Sequence, residues 1–250
     1  MLTVVLLTGW GFRTTALSPL QEALQRHFPN AHYLTPSNNC SSIQSTCDLR
    51  QWRTTWWPTS ATPAASGRVC YIGWSLGGLL ASRLAALPDA HTAALITLGT
   101  NRRFVADEQW PSAMPSEEFT AFMQAWLRRP SDTLRHFTRL ASQGCPHPRA
   151  LRTSLSEWAD ASLSVEEGRR QLEWLNGTDS YNDWINKQYT TCHMFAADDA
   201  LVPSTAAKTL ADNGHRTELL PATGHLFPAT EAEQVAARVA NLLAEADSRA

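Results

Sequence analysis

The sequence predicts an α/β fold: a mostly parallel sheet with helices on both faces, interrupted by an all-helical insertion. Short apolar runs rich in β-branched residues alternate with longer stretches of helical period, the pattern of a parallel sheet covered by helices. Between Asn101 and Lys187 the β-like runs vanish, and Trp, Arg, Glu and Leu recur at helical spacing. At 250 residues and 43% apolar composition the chain suffices for one sizeable core without disulfide or metal staples.

In chain order, Thr3–Leu7 is a strand, its apolar run from Leu2 lacking the basic flank and small-residue cleavage site of a secretory signal. Helical period follows from Leu17 to His27. The stretch Pro36 to Gly67, dense in Ser, Thr, Asn and Pro, reads as loop with a short helix over Leu49–Trp57. Strand Arg68–Ile72, helix Leu76–Leu87 and strand Ala94–Leu98 complete the first block. Helices over Glu117–Leu127, Asp132–Ser142, Arg149–Ala161 and Glu166–Leu175 make up the insertion. The α/β pattern resumes with strand Cys192–Ala196, helix Ser204–Asp212, strand Thr217–Leu220 and helix Glu231–Ala246. The expected organisation is a core of residues 1–100 and 188–250 under a helical lid of residues 101–187.

Twenty-one basic against 23 acidic residues give a net charge of −2, which argues against whole-surface nucleic-acid binding. No apolar run approaches the ~20 residues needed to span a bilayer. Five cysteines without paired C-x-x-C spacing, and no histidine at finger-like distance, argue against a structural zinc site. Cys70 and Cys192 read as buried hydrophobes; Cys40 and Cys47 share a polar loop as the one candidate redox pair.

The chemistry centres on Gly73-Trp74-Ser75-Leu76-Gly77-Gly78, a G-x-S-x-G-G turn joining a strand to a helix. A serine on so tight a turn sits in a strained backbone conformation, and side-chain-free neighbours let the chains pass, so the hydroxyl is pushed out above the sheet. The Leu76 amide, opening the helix, points where an oxyanion would form. Serine needs a histidine base oriented by a carboxylate. His225 lies in a turn, Gly224-His225-Leu226, between the last strand and the last helix. The remaining histidines, His27, His32, His91, His136, His147, His193 and His215, read as surface or strand-end residues. Asp198-Asp199 follows the penultimate strand; Asp199, at the exit into Ala-Leu-Val-Pro, is the preferred acid, and Asp198 a turn or cap residue. The loop Leu7-Thr8-Gly9-Trp10-Gly11 supplies the second oxyanion amide from Trp10, and the rings of Trp10 and Trp74 are candidates for the pocket wall.

With these elements in place the sequence resembles the α/β-hydrolase superfamily over essentially its full length. Leu7-Thr8-Gly9-Trp10-Gly11, the Gly-Trp-Ser-Leu-Gly-Gly elbow, Asp107-Glu108-Gln109-Trp110-Pro111, Asp199-Ala200-Leu201-Val202-Pro203 and Gly224-His225 together look like the pimeloyl-[acyl-carrier protein] methyl ester esterase family of biotin synthesis. The resemblance implies Ser75 as nucleophile, Asp199 as acid, His225 as base, and Trp10 with Leu76 as oxyanion amides. It further implies acyl-chain contact from Phe137, Thr138, Arg139, Leu140 and Ala141. It implies hydrolysis of a methyl ester on an acyl chain borne by acyl-carrier protein, with no metal or organic cofactor. Thr8 stands where many relatives carry His before the Gly, a change that leaves the amide geometry alone.

Only Lys187 and Lys208 are lysines, so 19 of the basic residues are arginines. Six of them, Arg128, Arg129, Arg135, Arg139, Arg149 and Arg152, stand against the single acid Asp132 between Trp126 and Leu155. Arg135 and Arg139, and Arg149 and Arg152, each share a helical face. Given the resemblance, this island is expected to serve as a docking face for an acidic carrier protein and the phosphate of its arm. A cytoplasmic monomer without nucleic-acid or membrane partners is expected. A broad short-chain carboxylesterase or thioesterase, and a non-catalytic binding protein on the same fold, stay open as alternatives.

Overall fold

The computed structural model describes residues 1–37, 46–57, 67–147, 150–185 and 188–248. Its strands are β1 (Leu2–Leu7), β2 (His32–Leu34), β3 (Arg68–Trp74), β4 (Thr92–Leu98), β5 (Thr190–Ala196) and β6 (Thr217–Leu220). They form one sheet in the order β2-β1-β3-β4-β5-β6, every neighbouring pair parallel. From Thr3 onward β1 is buried on both faces, which is why it reads as a continuous apolar run rather than an alternating one.

Helices α1 (Ser18–His27), α2 (Thr46–Trp56), α3 (Leu76–Ala85), α9 (Thr205–Asp212) and α11 (Ala232–Asp247) cover the sheet. Alternate β1 side chains part between two apolar layers. Val4 and Leu6 join Leu20 and Leu24 of α1 and Val235, Val239 and Leu242 of α11; Val5 and Leu7 join Trp52 of α2, Leu80 and Leu84 of α3 and Leu210 of α9. Between β4 and β5, after a non-helical stretch over residues 99–115, the described residues carry α4 (Ser116–Arg128), α5 (Pro130–Ala141), α6 (Leu151–Trp158), α7 (Val165–Gly177) and the single turn α8 (Tyr181–Trp184). A second single turn, α10 (Phe227–Thr230), precedes α11.

The two ends of the helical segment are tied together. Arg102 forks onto Asp179 with two 2.8 Å hydrogen bonds, the Ser180 amide donates to the Arg102 carbonyl, and the Arg102 guanidinium lies over the rings of Trp110 and Tyr181. Such charge-assisted, bidentate pairing fixes geometry as well as contributing energy. Among the described residues no helix is long and apolar enough to cross a membrane.

Strand order reverses between β1 and β3: the chain leaves β1 toward β2, returns to β3 on the other side and then proceeds to β6. In open parallel sheets such a switch point leaves a crevice beyond the carboxyl ends of the two strands. Leu7 pairs with Gly73 in register, so the loop after β1 and the turn after β3 emerge at the same level, over that crevice.

Candidate active site

Ser75 occupies the turn between β3 and α3 with φ 56° and ψ −121°. That conformation costs a non-glycine residue about 1–3 kcal/mol and persists only where its surroundings impose it. Here they do. A Cβ on Gly73 would lie 2.2 Å from the Gly77 carbonyl oxygen, and one on Gly77 would lie 2.2 Å from the Leu7 carbonyl oxygen. Only backbone fits in either place, which draws the turn tight against β1. The Ser75 amide donates to the Leu98 carbonyl (2.9 Å), and its carbonyl accepts from Thr100 Oγ1 (3.0 Å) and the Gly78 amide (2.9 Å).

His225 comes from the turn after β6. Its Nδ1 lies 2.7 Å from Asp199 Oδ2, with both side chains only 1% exposed. The other carboxylate oxygen, Oδ1, accepts from the amides of Leu201 (2.8 Å) and Val202 (2.9 Å), so the acid is held from both sides. A carboxylate on Nδ1 favours the tautomer with the proton on that nitrogen and the Nε2 lone pair free, the arrangement a general base requires. Nε2 is buried and has no hydrogen-bond partner among the described residues. Trp74, the residue before the serine, donates from Nε1 to the His225 carbonyl (3.0 Å) and sets its ring 5.6 Å from the imidazole, tying the histidine to the elbow. Asp198 is exposed; its amide donates to the Thr223 carbonyl (3.0 Å).

His193 differs from the surface or strand-end position read from the sequence. It lies fully buried within β5, its Nδ1 2.8 Å from Thr97 Oγ1 on β4 and its ring 4.0 Å from Trp184. Burial, with His215 nearby, pushes its pKa down to about 3. Turned toward Trp184 and His215, it belongs to the core.

Ser75 opens into an apolar cavity of about 70 Å³, walled by Trp10, Phe104, Met114, Phe119, Phe122, Phe137, Leu140, Leu172, Leu175 and Leu201. A larger groove of about 520 Å³ runs between α4 and α5 and shares Met114, Phe122 and Leu140 with that cavity. Arg129, His136, Glu118 and Asp132 give the groove its polar margin. Trp10 is the hinge of the apolar wall: Nε1 donates to the Gly168 carbonyl (3.0 Å), and its ring meets Phe122, Trp126 and Phe137 edge-to-face at 5.3, 5.0 and 4.8 Å. Each such pair adds about 0.5–1.5 kcal/mol beyond area burial. Gly9 brings the backbone before Trp10 against the serine, since a Cβ there would lie 3.2 Å from Ser75 Cβ. Leu76 opens α3 directly after the serine, among the amides a helix leaves without intrahelical partners.

Of the run Phe137 to Ala141 on α5, Phe137 and Leu140 line the cavity. Thr138 is buried with Oγ1 donating to the Arg135 carbonyl, Ala141 is buried away from the cavity wall, and Arg139 is exposed with Nη2 2.9 Å from His136 Nδ1. The Trp74 ring lies against Phe12 and His225 rather than in the cavity wall. Arg135 is exposed and pairs with Asp132 (2.5 Å). Arg149 and Cys40 lie outside the described residues; Arg152 lies on α6 with its side chain outside them. Sequence reasoning missed Met114, Phe119, Phe122, Leu172 and Leu175, although Phe119 with Phe122, and Leu172 with Leu175, recur at the three-residue spacing of one helical face. Among the described residues no group of three or more His, Cys, Asp or Glu side chains is placed to hold a metal ion.

Residues 4–238 match the model of the alpha/beta hydrolase family. The chain is 30% identical over 250 residues to the pimeloyl-[acyl-carrier protein] methyl ester esterase of Xylella fastidiosa (strain M12), covering 96% of this chain and 94% of that protein. It is 26% identical over 241 residues to the biotin biosynthesis bifunctional protein BioHC of Cellvibrio japonicus (strain Ueda107), matching 94% of this chain but only 46% of that longer protein. Among solved structures, the esterase EaEST from Exiguobacterium antarcticum superposes with a TM-score of 0.76 at 19% identity, over 97% of this chain and 92% of that one.

Proposed function

Because the chain belongs to the alpha/beta hydrolase family, and within it to the family of the pimeloyl-[acyl-carrier protein] methyl ester esterases, we propose that it is a serine carboxylesterase that hydrolyses the methyl ester of pimeloyl-acyl-carrier protein. The observation that carries the reading is the buried His225–Asp199 pair, tied through Trp74 to the turn whose strained Ser75 lines an apolar cavity.

In the first half-reaction His225 Nε2 takes the Ser75 Oγ proton as Oγ attacks the ester carbonyl. The amides of Trp10 and Leu76 stabilise the oxyanion, and the methoxide leaves with the proton that His225 returns. In the second, His225 takes a proton from water as the oxygen attacks the acyl-serine and returns that proton to Oγ, and the free acid departs and gives up its own proton to solvent. Asp199 stays ionised throughout and holds the ring in the required tautomer. The alkyl chain lies along Phe137, Leu140, Phe122 and Met114, and its carrier-bound end leaves by the groove between α4 and α5. Residues 101–187 act as the lid that makes this passage. The exposed arginines Arg135 and Arg139, with Arg149 and Arg152, receive the acidic carrier protein. The setting is cytoplasmic.

Ser75→Ala is the direct test: it abolishes turnover of small methyl esters and of the carrier-bound ester alike, with the fold intact by circular dichroism. Turnover retained by the purified variant contradicts the mechanism.

A further inference from the structure

We propose that the turn Ser142–Cys145, which ends lid helix α5, is a positioning element for the catalytic acid and base, with Gly144 its key residue. The proposal rests on the serine-hydrolase reading above and adds a mechanical link between lid and triad.

The turn is wedged between the two loops that carry Asp199 and His225. Gly144 has φ +77°, and a Cβ there would lie 2.2 Å from the Asp198 carbonyl oxygen and 2.6 Å from Asp198 Cβ. On the other side, a Cβ on Gly224, the residue before the base, would lie 1.8 Å from the Gln143 carbonyl oxygen and 3.1 Å from the Cys145 amide nitrogen. Backbone therefore packs on backbone at both contacts, each at a residue adjoining a triad member. The two loops are themselves joined, the Asp198 amide donating to the Thr223 carbonyl (3.0 Å) and the Ala197 amide to the Leu220 carbonyl (2.9 Å). Cys145 completes the wedge. It is 5% exposed, its Sγ lies 3.8 Å from the Ala141 carbonyl, and its thiol faces the backbone of Leu226 and Gly224 and the Thr230 hydroxyl.

The turn continues a helix whose Phe137 and Leu140 wall the cavity. A shift of α5 thus reaches Asp198 and Gly224 through contacts with no slack, because close-packed interiors transmit displacement instead of absorbing it. A chain seated against Phe137 and Leu140 holds α5, and α5 holds the acid loop and the base loop at their 2.7 Å hydrogen bond. Productive geometry must be kept to a fraction of an ångström, so the wedge bears on the chemical step more than on binding.

The test uses Gly144→Ala, with Gly214→Ala as control. Gly214 has a similar φ of +82° but nothing within 4 Å of its added Cβ, so it carries the same backbone strain without the wedge. Both variants lose thermal stability. With p-nitrophenyl acetate and active sites counted by a fluorophosphonate probe, Gly144→Ala is expected to lower kcat at least tenfold with KM changed less than threefold, and to slow the labelling of Ser75 in parallel. Gly214→Ala keeps kcat within twofold. Should Gly144→Ala fail to fold, Cys145→Val, which adds bulk at the same wedge, is judged by the same split, with at least a threefold loss of kcat. Wild-type kcat and labelling rate in the folded wedge variant overturn the proposal. A wild-type protein that neither labels at Ser75 nor hydrolyses the ester overturns the hydrolase reading instead.

Discussion

At Ser75 the backbone conformation and the chemistry are one problem, because the φ of 56° at the nucleophile's turn is accommodated by the bare backbones of Gly73 and Gly77 and held by hydrogen bonds to the Ser75 amide and carbonyl. Gly77→Ala, whose Cβ would meet the Leu7 carbonyl oxygen at 2.2 Å and the Thr8 carbonyl oxygen at 2.5 Å, is expected to cost at least about 1–3 kcal/mol as overpacking. Urea unfolding of the variant against wild type measures it. The carboxylates separate just as sharply. Asp199→Asn, which removes the charge that sets the His225 tautomer, lowers kcat on the order of 10³–10⁴-fold in steady-state assays, whereas exposed Asp198→Asn lowers it less than tenfold. The sequence already favours Asp199 through its place at the strand exit; the structure adds the reason, two loop amides on Oδ1 and the imidazole on Oδ2. The wedge at Gly144 was not legible. A glycine packed against a residue 54 positions away leaves no local pattern, and neither helical nor strand period reports it.

Among the elements, those whose signal exceeds one turn of chain are the ones read from sequence. Strands β1, β3, β4, β5 and β6 and the long helices follow from continuous apolar runs and helical period. β2 escaped because it is three residues long at the sheet edge, and α8 and α10 because a single turn carries no periodicity. The helical segment between β4 and β5 owes its closure to the fork of Arg102 on Asp179. Arg102→Ala removes charge-assisted hydrogen bonds with a net value of about 1.5–3 kcal/mol each at most, and limited proteolysis is expected to cut residues 101–187 faster than in wild type, with the β-strands equally protected in hydrogen exchange. Unchanged proteolysis contradicts the tie. On the outer face of α5, Arg135 and Arg139 are exposed. Replacing both by Ala is expected to raise KM for a carrier-bound methyl ester in a salt-sensitive way and to leave a small ester untouched. An equal effect on both substrates argues against docking.

For the whole molecule, the net charge of −2 reads as little until it is placed along the chain, where six arginines stand against one acid between Trp126 and Leu155. Stability carries a pH signature from His193, buried against Trp184, hydrogen-bonded to Thr97 and 5.6 Å from His215, whose own protonation is disfavoured by burial and then by the charge of Arg102. Burial lowers its pKa to about 3 in the fold, whereas the unfolded chain binds the proton near 6.5. The unfolded state therefore holds the extra proton between those values: stability is full above pH 6.5 and falls as the pH drops toward 3, by up to about 1.4 kcal/mol per pH unit from this group. His193→Gln is expected to flatten that limb in denaturant titrations at pH 7, 6 and 5; an identical slope assigns the acid sensitivity elsewhere. The fold class was readable from the alternation of strands and helices, and so were the strand-end turns that carry Ser75, Asp199 and His225. The cavity was not, because its wall is assembled from α4, α5, α7 and three loops that only the folded chain brings together. The central claim meets its most direct test in the mass spectrum of acyl-carrier protein bearing a methyl-esterified pimeloyl arm, incubated with wild type or Ser75→Ala. The account predicts that wild type removes one methylene's mass, releasing methanol and leaving the thioester arm in place, while the variant changes nothing; an unchanged carrier with wild type, or loss of the whole acyl arm, contradicts it.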